Sequence, residues 1–170
     1  PGSRGDVLPL VAVGAFLQEL GHSVAVVCHT VYEDVVLAAG MQFYPVAGDP
    51  NANRGGAATT GPEAVDLWRQ QLNDYRIAAQ GANCVCFNWF GIAGMHLAEA
   101  LKVPCAALWL VPFTRTREFP SIFLKDPRSV STVETLRRKH GSQWELASHI
   151  LFEQIMWLPF AQPLNGEETY

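Results

Sequence analysis

Few side chains in this 170-residue sequence are typed and spaced for chemistry, and the first of them open it. In Pro1-Gly-Ser-Arg-Gly-Asp6, Gly2 and Gly5 stand three apart and lead into a helical stretch. Glycines so placed let backbone N–H groups approach an anion at the positive end of a helix. The pattern is neither the G-x-G-x-x-G dinucleotide fingerprint nor a P-loop with its lysine. Asp6 has two readings from spacing alone. One is a general base. The other is an N-cap, whose carboxylate accepts amides of the first turn. A helix N-terminus favours the charged form of a carboxylate, which counts against strong basicity. A second candidate is Phe113-Thr-Arg-Thr-Arg-Glu-Phe-Pro120, where Thr114, Arg115, Thr116 and Arg117 alternate hydroxyls with guanidiniums between aromatics. Such a loop can line a pocket for a polyhydroxylated or amphipathic ligand. It can equally be a solvated turn that uses its arginines for solubility.

The remaining candidates are weaker. His96 lies early in a helix that follows the Asn88 loop, where it is either functional or a packed or capping histidine. His22 follows a helix-stopping glycine, His29 ends a strand, His140 sits in a basic turn, and His149 has no partner at metal spacing. Arg137-Arg-Lys139 reads as a solvated face. Cys28, Cys84, Cys86 and Cys105 form no Cys-x-x-Cys pair, so no metal site is expected. Each lies in an apolar strand-like run and is expected to be a buried thiol. Free thiols with no basic, apolar leader ahead of them fit a cytosolic compartment.

These residues need elements to hold them. Leu8 to Leu20 is apolar nearly all round and reads as a buried helix, with Pro9 in its first turn and Gly21 as its stop. Ser23 to Cys28 is a β-branched run suited to a strand covered on both faces. Thr30-Val-Tyr-Glu33 has the form of a capping box for a helix ending at Gly40. Met41 to Val46 is the next strand, and Ala47 to Gly61 a long loop. Val65, Trp68, Leu72, Tyr75 and Ala79 recur at helical spacing, which predicts a helix over Pro62 to Gln80. Cys84 to Phe87 and Cys105 to Val111 read as strands around a helix from Ile92 to Leu101. Ser142-Gln-Trp-Glu145 resembles another capping box, for a helix that Pro159 stops.

Strands alternating with helices predict an α/β fold, a parallel sheet flanked by helices. The length suits about one domain. In such sheets ligands lie outside the carboxyl ends of the strands. That places Gly2–Asp6, Ala47–Gly61, Asn88–Gly91 and the stretch after Pro112 on one edge. Composition removes other classes. Charged residues make up only 16% and the net charge is −4, the wrong balance for tracking nucleic-acid phosphates. The longest apolar run, Val103 to Phe113, is too short for a bilayer span of about 20 residues. The helix near the start has no strand feeding it, so the first strand is expected to be missing or truncated.

Taken in order, several segments resemble the amino-terminal domain of sterol 3-beta-glucosyltransferases and relatives in glycosyltransferase family 28. They are Gly2-Ser-Arg-Gly-Asp-Val7, Leu20-Gly-His22, His29, Ala39-Gly-Met-Gln-Phe-Tyr-Pro45 and Gly48-Asp-Pro50. They continue through His96-Leu-Ala-Glu-Ala-Leu101, Pro112-Phe-Thr-Arg-Thr-Arg-Glu-Phe-Pro120 and Glu153-Gln-Ile-Met-Trp157. The resemblance spans nearly all of residues 1–170. It implies the acceptor-side, Rossmann-like half of a two-domain GT-B hexosyltransferase, inverting and metal-free, with no other cofactor. UDP-glucose would be the donor substrate, gripped by the protein's own carboxyl-terminal domain, and a sterol or similar lipid hydroxyl the acceptor. By the same resemblance Asp6 is the base, and Gly2, Ser3, Arg4 and Gly5 face the donor diphosphate. His96, Phe113, Thr114, Arg115 and Thr116 fall on the acceptor side.

Three departures accompany the resemblance. The first strand is expected to be missing or truncated, Trp89 and Phe90 stand where relatives often have a proline-containing turn, and no donor domain is read by Tyr170. Residues 1–170 alone are therefore expected to be inactive, and peripheral recruitment to membranes is a further expectation for the parent. Two other readings stand: a truncated, non-catalytic module that binds a lipid or small molecule, and the domain of an antibiotic- or macrolide-type glycosyltransferase.

Overall fold

The computed structural model describes residues 2–50, 62–121, 135 and 138–165. They divide into two compact units, Pro1–Leu110 and Val111–Tyr170.

In the first unit, helices and strands alternate: α1 (Arg4–Glu19), β1 (Ala25–Cys28), α2 (Glu33–Ala38), β2 (Gln42–Pro45), α3 (Pro62–Ala78), β3 (Val85–Phe87), α4 (Ala93–Leu101) and β4 (Cys105–Ala107). β1 pairs parallel with β2, and β3 pairs parallel with β4. Parallel neighbours cannot be joined by a hairpin, so each pair carries a crossover helix, α2 and α4 respectively. The expected parallel α/β pattern is present. The single sheet is not: among the described residues the four strands form two two-stranded ladders.

One core holds the first pair. Val7 and Val11 of α1 meet Cys28, Val36 and Met41, all buried. Fully burying such a side chain contributes about 1.5–3 kcal/mol. Gly14 belongs to this face because a Cβ there would fall 2.7 Å from the Met41 sulfur. The opposite face of α1 is open, with Val13, Phe16 and Leu20 exposed. α1 is thus half-buried and not the all-round buried helix its composition suggested. β1 is likewise only partly covered, with Ala25 exposed. In the second pair, α4 lies close on β3. A Cβ at Gly94 would meet the Phe87 Cβ at 2.9 Å.

Several element ends differ from expectation, among them β4, which stops at Ala107 and not Val111. α1 starts at Arg4 with Ser3 as its N-cap, which makes Asp6 the third helical residue and moves Pro9 beyond the first turn. Thr30–Tyr32 forms a 3-10 turn that merges into α2, and no capping box forms there. In the second unit, α5 (Ser142–Asn165) begins at Ser142 itself and runs through Pro159. A proline inside a helix costs about 3 kcal/mol, which penalises a helix without forbidding it. The glycine stops were legible: Gly21, Gly40 and Gly81 have φ of 88°, 74° and 78°. The later part of the expected Ala47–Gly61 loop, and residues 122–134 after the Pro112 segment, lie outside the described residues.

Candidate active site

Asp6 is held from its own helix end. Its Oδ2 accepts the Ser3 backbone N–H at 2.7 Å and the Ser3 hydroxyl at 2.7 Å. The first bond belongs to a capping box in which Asp stands where Glu or Gln is usual, and the second joins the two side chains directly. Among the described residues no donor is recorded on Oδ1. One carboxylate oxygen therefore anchors the group, and the other makes no hydrogen bond among the described residues. Gly2 makes room for this arrangement. Its φ is 114°, and a Cβ there would lie 2.8 Å from the Asp6 Cβ and 2.9 Å from Oδ2. Gly5 has no such demand on it, since a Cβ would sit 3.7 Å from the Ser3 hydroxyl, an ordinary contact. Arg4 and Gly5 are exposed, and their amides sit in the first turn, where a helix provides no acceptor.

Asn88 joins this turn to the second strand pair. It is buried, its Oδ1 accepts the Gly91 N–H at 3.0 Å, and its Nδ2 donates to the Asp6 carbonyl at 3.4 Å. The loop after β3 is thereby fixed to the helix end that carries the carboxylate. Ser3, Asp6 and Asn88, which the strand-end rule placed on one edge, come together. Beside Asn88, Trp89 packs on Trp109 from the end of β4, with ring centroids 5.8 Å apart. His29 closes β1 in a buried position, and loss of solvent holds its imidazole below the usual pKa. Past β2, Asp74 accepts the Ala47 N–H at 2.9 Å and Gln71 donates to the Ala47 carbonyl at 2.7 Å, so α3 grips the start of that loop. His96 is exposed on α4.

The Pro112 segment lies in the second unit, where most of its side chains bind neighbours of their own. Arg115 meets Glu153 in a two-pronged contact, with Nε 2.9 Å from Oε1 and Nη2 bonded to Oε2. Glu153 holds the guanidinium more firmly protonated than usual. Phe113 stacks on Phe152 at 6.1 Å. Thr116 accepts the Glu118 N–H at 3.2 Å. His149 Nε2 lies 3.0 Å from the Phe119 carbonyl, and the Ser121 N–H donates to Ser148 Oγ at 2.8 Å. The segment is a strap bound along α5, and Thr114 remains exposed on it.

The cysteines correct an expectation. Cys28 is buried, but Cys84, Cys86 and Cys105 are exposed. Val85 and Phe87 face α4, and alternation along β3 turns Cys86 the other way, where no described element covers it. Among the described residues no group of three His, Cys, Asp or Glu side chains could hold a metal ion. Among them, too, no helix is long and apolar enough to cross a membrane.

A Rossmann-like edge with a glycine-rich helix entry and an anchored carboxylate fits many enzymes, and relatives decide among them. The glycosyltransferase family 28 N-terminal domain matches residues 1–120. The chain belongs to that family. This family 28 domain is 32% identical to a sterol 3-beta-glucosyltransferase of Eremothecium gossypii, over 96% of its length and 13% of that protein. It is 34% identical to one from Arabidopsis thaliana, over 96% of its length and 27% of that protein. A UDP-sugar-dependent glycosyltransferase of Dictyostelium discoideum is 30% identical across 99% of the domain and 10% of its own length. The chain thus spans about a tenth to a quarter of these relatives. Among solved structures, the glycotransferase of kitacinnamycin superposes with a TM-score of 0.51 at 15% identity, covering 95% of this chain and 40% of that one. The calicheamicin glycosyltransferase CalG4 gives 0.51 at 18% identity, over 91% and 41%. The fold is a Rossmann-like half-domain of the GT-B glycosyltransferases.

Sequence reasoning named Asp6 and missed what holds it. A box scan that requires Glu or Gln at the third helical position passes over Ser3-Arg-Gly-Asp6. Asn88 was placed on the right edge, but its bond to a residue 82 positions away has no local signature.

Proposed function

We propose that this domain is the acceptor-side half of an inverting, metal-independent hexosyltransferase that moves glucose from UDP-glucose to a sterol or similar lipid hydroxyl. The observation that carries the proposal is Asp6: one oxygen anchored by Ser3, the other without a recorded donor, at a helix end tied to the β3 loop. A sterol hydroxyl is a weak nucleophile at neutral pH. Asp6 takes its proton as the oxygen attacks the anomeric carbon, and the UDP leaves from the opposite face. The first-turn amides of Arg4 and Gly5 favour the negative diphosphate. A carboxyl-terminal domain of the same protein supplies the rest of the donor site. The sterol 3-beta-glucosyltransferases among the relatives support this choice of acceptor over an antibiotic-type one.

The test uses the longer protein that contains this chain, offered UDP-glucose or UDP-galactose with a sterol or a linear fatty alcohol. Sterol glucoside with inverted anomeric configuration, formed in the presence of EDTA, is the expected product. Retention of configuration, abolition by EDTA, or no transfer to any sterol overturns the proposal. Residues 1–170 alone are expected to give no product, because donor positioning resides elsewhere.

A further inference from the structure

Cys84 and Cys86 lie away from the edge that carries Asp6 and Asn88. Cys84 directly precedes β3 and Cys86 is its middle residue, so the pair starts from the amino end of the strand. Exposure alternates here as a pleated strand requires: Cys84 is exposed, Val85 half-buried, Cys86 exposed and Phe87 buried. The two thiols therefore project side by side from the face that no described element covers. They are direct neighbours. Burial first, then the charge of Cys84 and a hydrogen bond with it, push the Cys86 thiol up. Cys105 adds a weaker effect through space. It is in register with Val85, and so belongs to the opposite face of the ladder.

Two adjacent thiols can close a disulfide or share a cation, and strand geometry separates these outcomes. Side chains two residues apart on a strand leave the backbone about 6.6 Å apart, at ~3.3 Å per residue. A disulfide needs Cβ atoms about 3.5–4.5 Å apart, so closing one here would break the pleat. A cation in line between two sulfurs, with bonds of about 2.3 Å, asks for sulfurs only about 4.6 Å apart. Thiols leaning toward each other from successive outward positions meet that span.

The surroundings select the cation. Residues 81–87 and 103–107 contain no Asp, Glu, His, Lys or Arg. Calcium and magnesium require oxygen ligands that this stretch lacks. Structural zinc takes four ligands and an iron–sulfur cluster four cysteines. No group of even three His, Cys, Asp or Glu side chains is present among the described residues. A soft ion content with two thiolates remains, and Cu(I) is the biological cation of that kind.

We propose that Cys84 and Cys86 form a two-coordinate thiolate site for Cu(I) on the uncovered face of β3. Two Cu–S bonds form as both thiols release their protons to water, and no electron is transferred. The site is separate from the glycosyl-transfer reading and uses none of its residues.

The reduced chain of residues 1–170 is titrated without oxygen against the coloured Cu(I) complex of bicinchoninate. Colour is expected to fall until a single Cu(I) per chain has moved, and X-ray absorption should show two sulfur neighbours. Losing one of two ligands should cost more than the ~100-fold of an outer-shell change, so Cys84→Ser and Cys86→Ser should each abolish the transfer. Cys105→Ser should leave it intact. Because all three side chains are exposed, the variants should melt near the parent temperature. No transfer of copper overturns the site, as does equal loss in Cys105→Ser or retention in either of the other variants. Displacement of the bound Cu(I) by equimolar Zn(II) overturns the choice of ion. A Cys84–Cys86 disulfide formed with glutathione disulfide, seen by mass spectrometry, overturns the geometric argument.

Discussion

Replacing Asp6 with Asn changes one atom type and separates two roles of the side chain. The carboxamide oxygen can still accept the Ser3 N–H and hydroxyl that now reach Oδ2 at 2.7 Å. What goes is a negative charge in the first turn of α1, worth about 0.3–1 kcal/mol against the helix dipole. For a chain of this size about 1 kcal/mol moves the melting temperature by roughly 2–4 °C. A domain with the usual 5–15 kcal/mol of stability stays folded after such a loss. The chemical loss is of another order. An amide cannot take the acceptor's proton, and general-base catalysis is typically worth about 10²–10⁴-fold, or roughly 3–5 kcal/mol of barrier. The assay is turnover of the longer protein with UDP-glucose and sterol, run beside a thermal melt and a sterol-binding titration. Asp6→Asn is expected to melt within a few degrees of the parent, bind sterol normally and lose at least a hundredfold in kcat. Ser3→Ala is the control. It removes the cap at a cost of about 0.5–2 kcal/mol while leaving the base in place, and should lower kcat less than tenfold. Most of the turnover surviving in Asp6→Asn would refute the reasoning. An equal collapse in Ser3→Ala would show that Asp6 acts only through the geometry of the helix end.

Gly2→Ala forces a Cβ to within 2.8 Å of the Asp6 Cβ from a left-handed backbone, so kcat in the longer protein should fall. Gly94→Ala places a Cβ 2.9 Å from that of Phe87, which is fixed to the backbone, whereas Gly14→Ala meets the flexible end of Met41. Urea denaturation should show the first destabilised by about 1–3 kcal/mol and the second much less. A disulfide-exchange reagent should label Cys84, Cys86 and Cys105 in the native domain and reach Cys28 only on unfolding. Burial raises the Cys28 and Cys86 thiols, so labelling at Cys86 should quicken as pH rises. His29 is held below its ordinary pKa by burial, so the unfolded chain takes up its proton first as pH falls. Stability from this group should be level above about pH 7 and decline below about pH 6.5. His29→Asn, compared by urea melts at pH 5.5 and 7.5, should flatten that decline.

The order of elements in the first unit is legible in the sequence because each signal is local. β-branched runs favour strands, and Gly21, Gly40 and Gly81 end helices through a positive φ that other residues resist. The stripe from Val65 to Ala79 turns inward as its spacing implies, with Tyr75 buried. Caps were read less well. Thr30-Val-Tyr-Glu33 matches the capping-box template, yet Thr30–Tyr32 takes a 3-10 turn. Arg115 looked available on its loop, but the Glu153 that binds it is 38 residues away.

What the sequence determines by itself is therefore the fold type, the strap and loop segments that carry polar side chains, and Asp6 as a carboxylate at a helix entry. These follow from backbone propensity and side-chain period, which act over a few residues. Only the tertiary structure decides that Asp6 leans on Ser3 with one oxygen, that Asn88 fastens the β3 loop to it, and that Trp89 and Trp109 share a surface. It also decides that three cysteines of apolar runs face outward, since burial depends on which layer covers a strand. Ser3 and Asp6 meet within one helix turn, but the long-range contacts form for another reason. The Trp89–Trp109 contact spans 20 positions and forms only after parallel pairing has set the ends of β3 and β4 beside each other. The Asn88–Asp6 bond spans 82 and forms only once α1 is docked by that loop, so no local preference encodes either meeting.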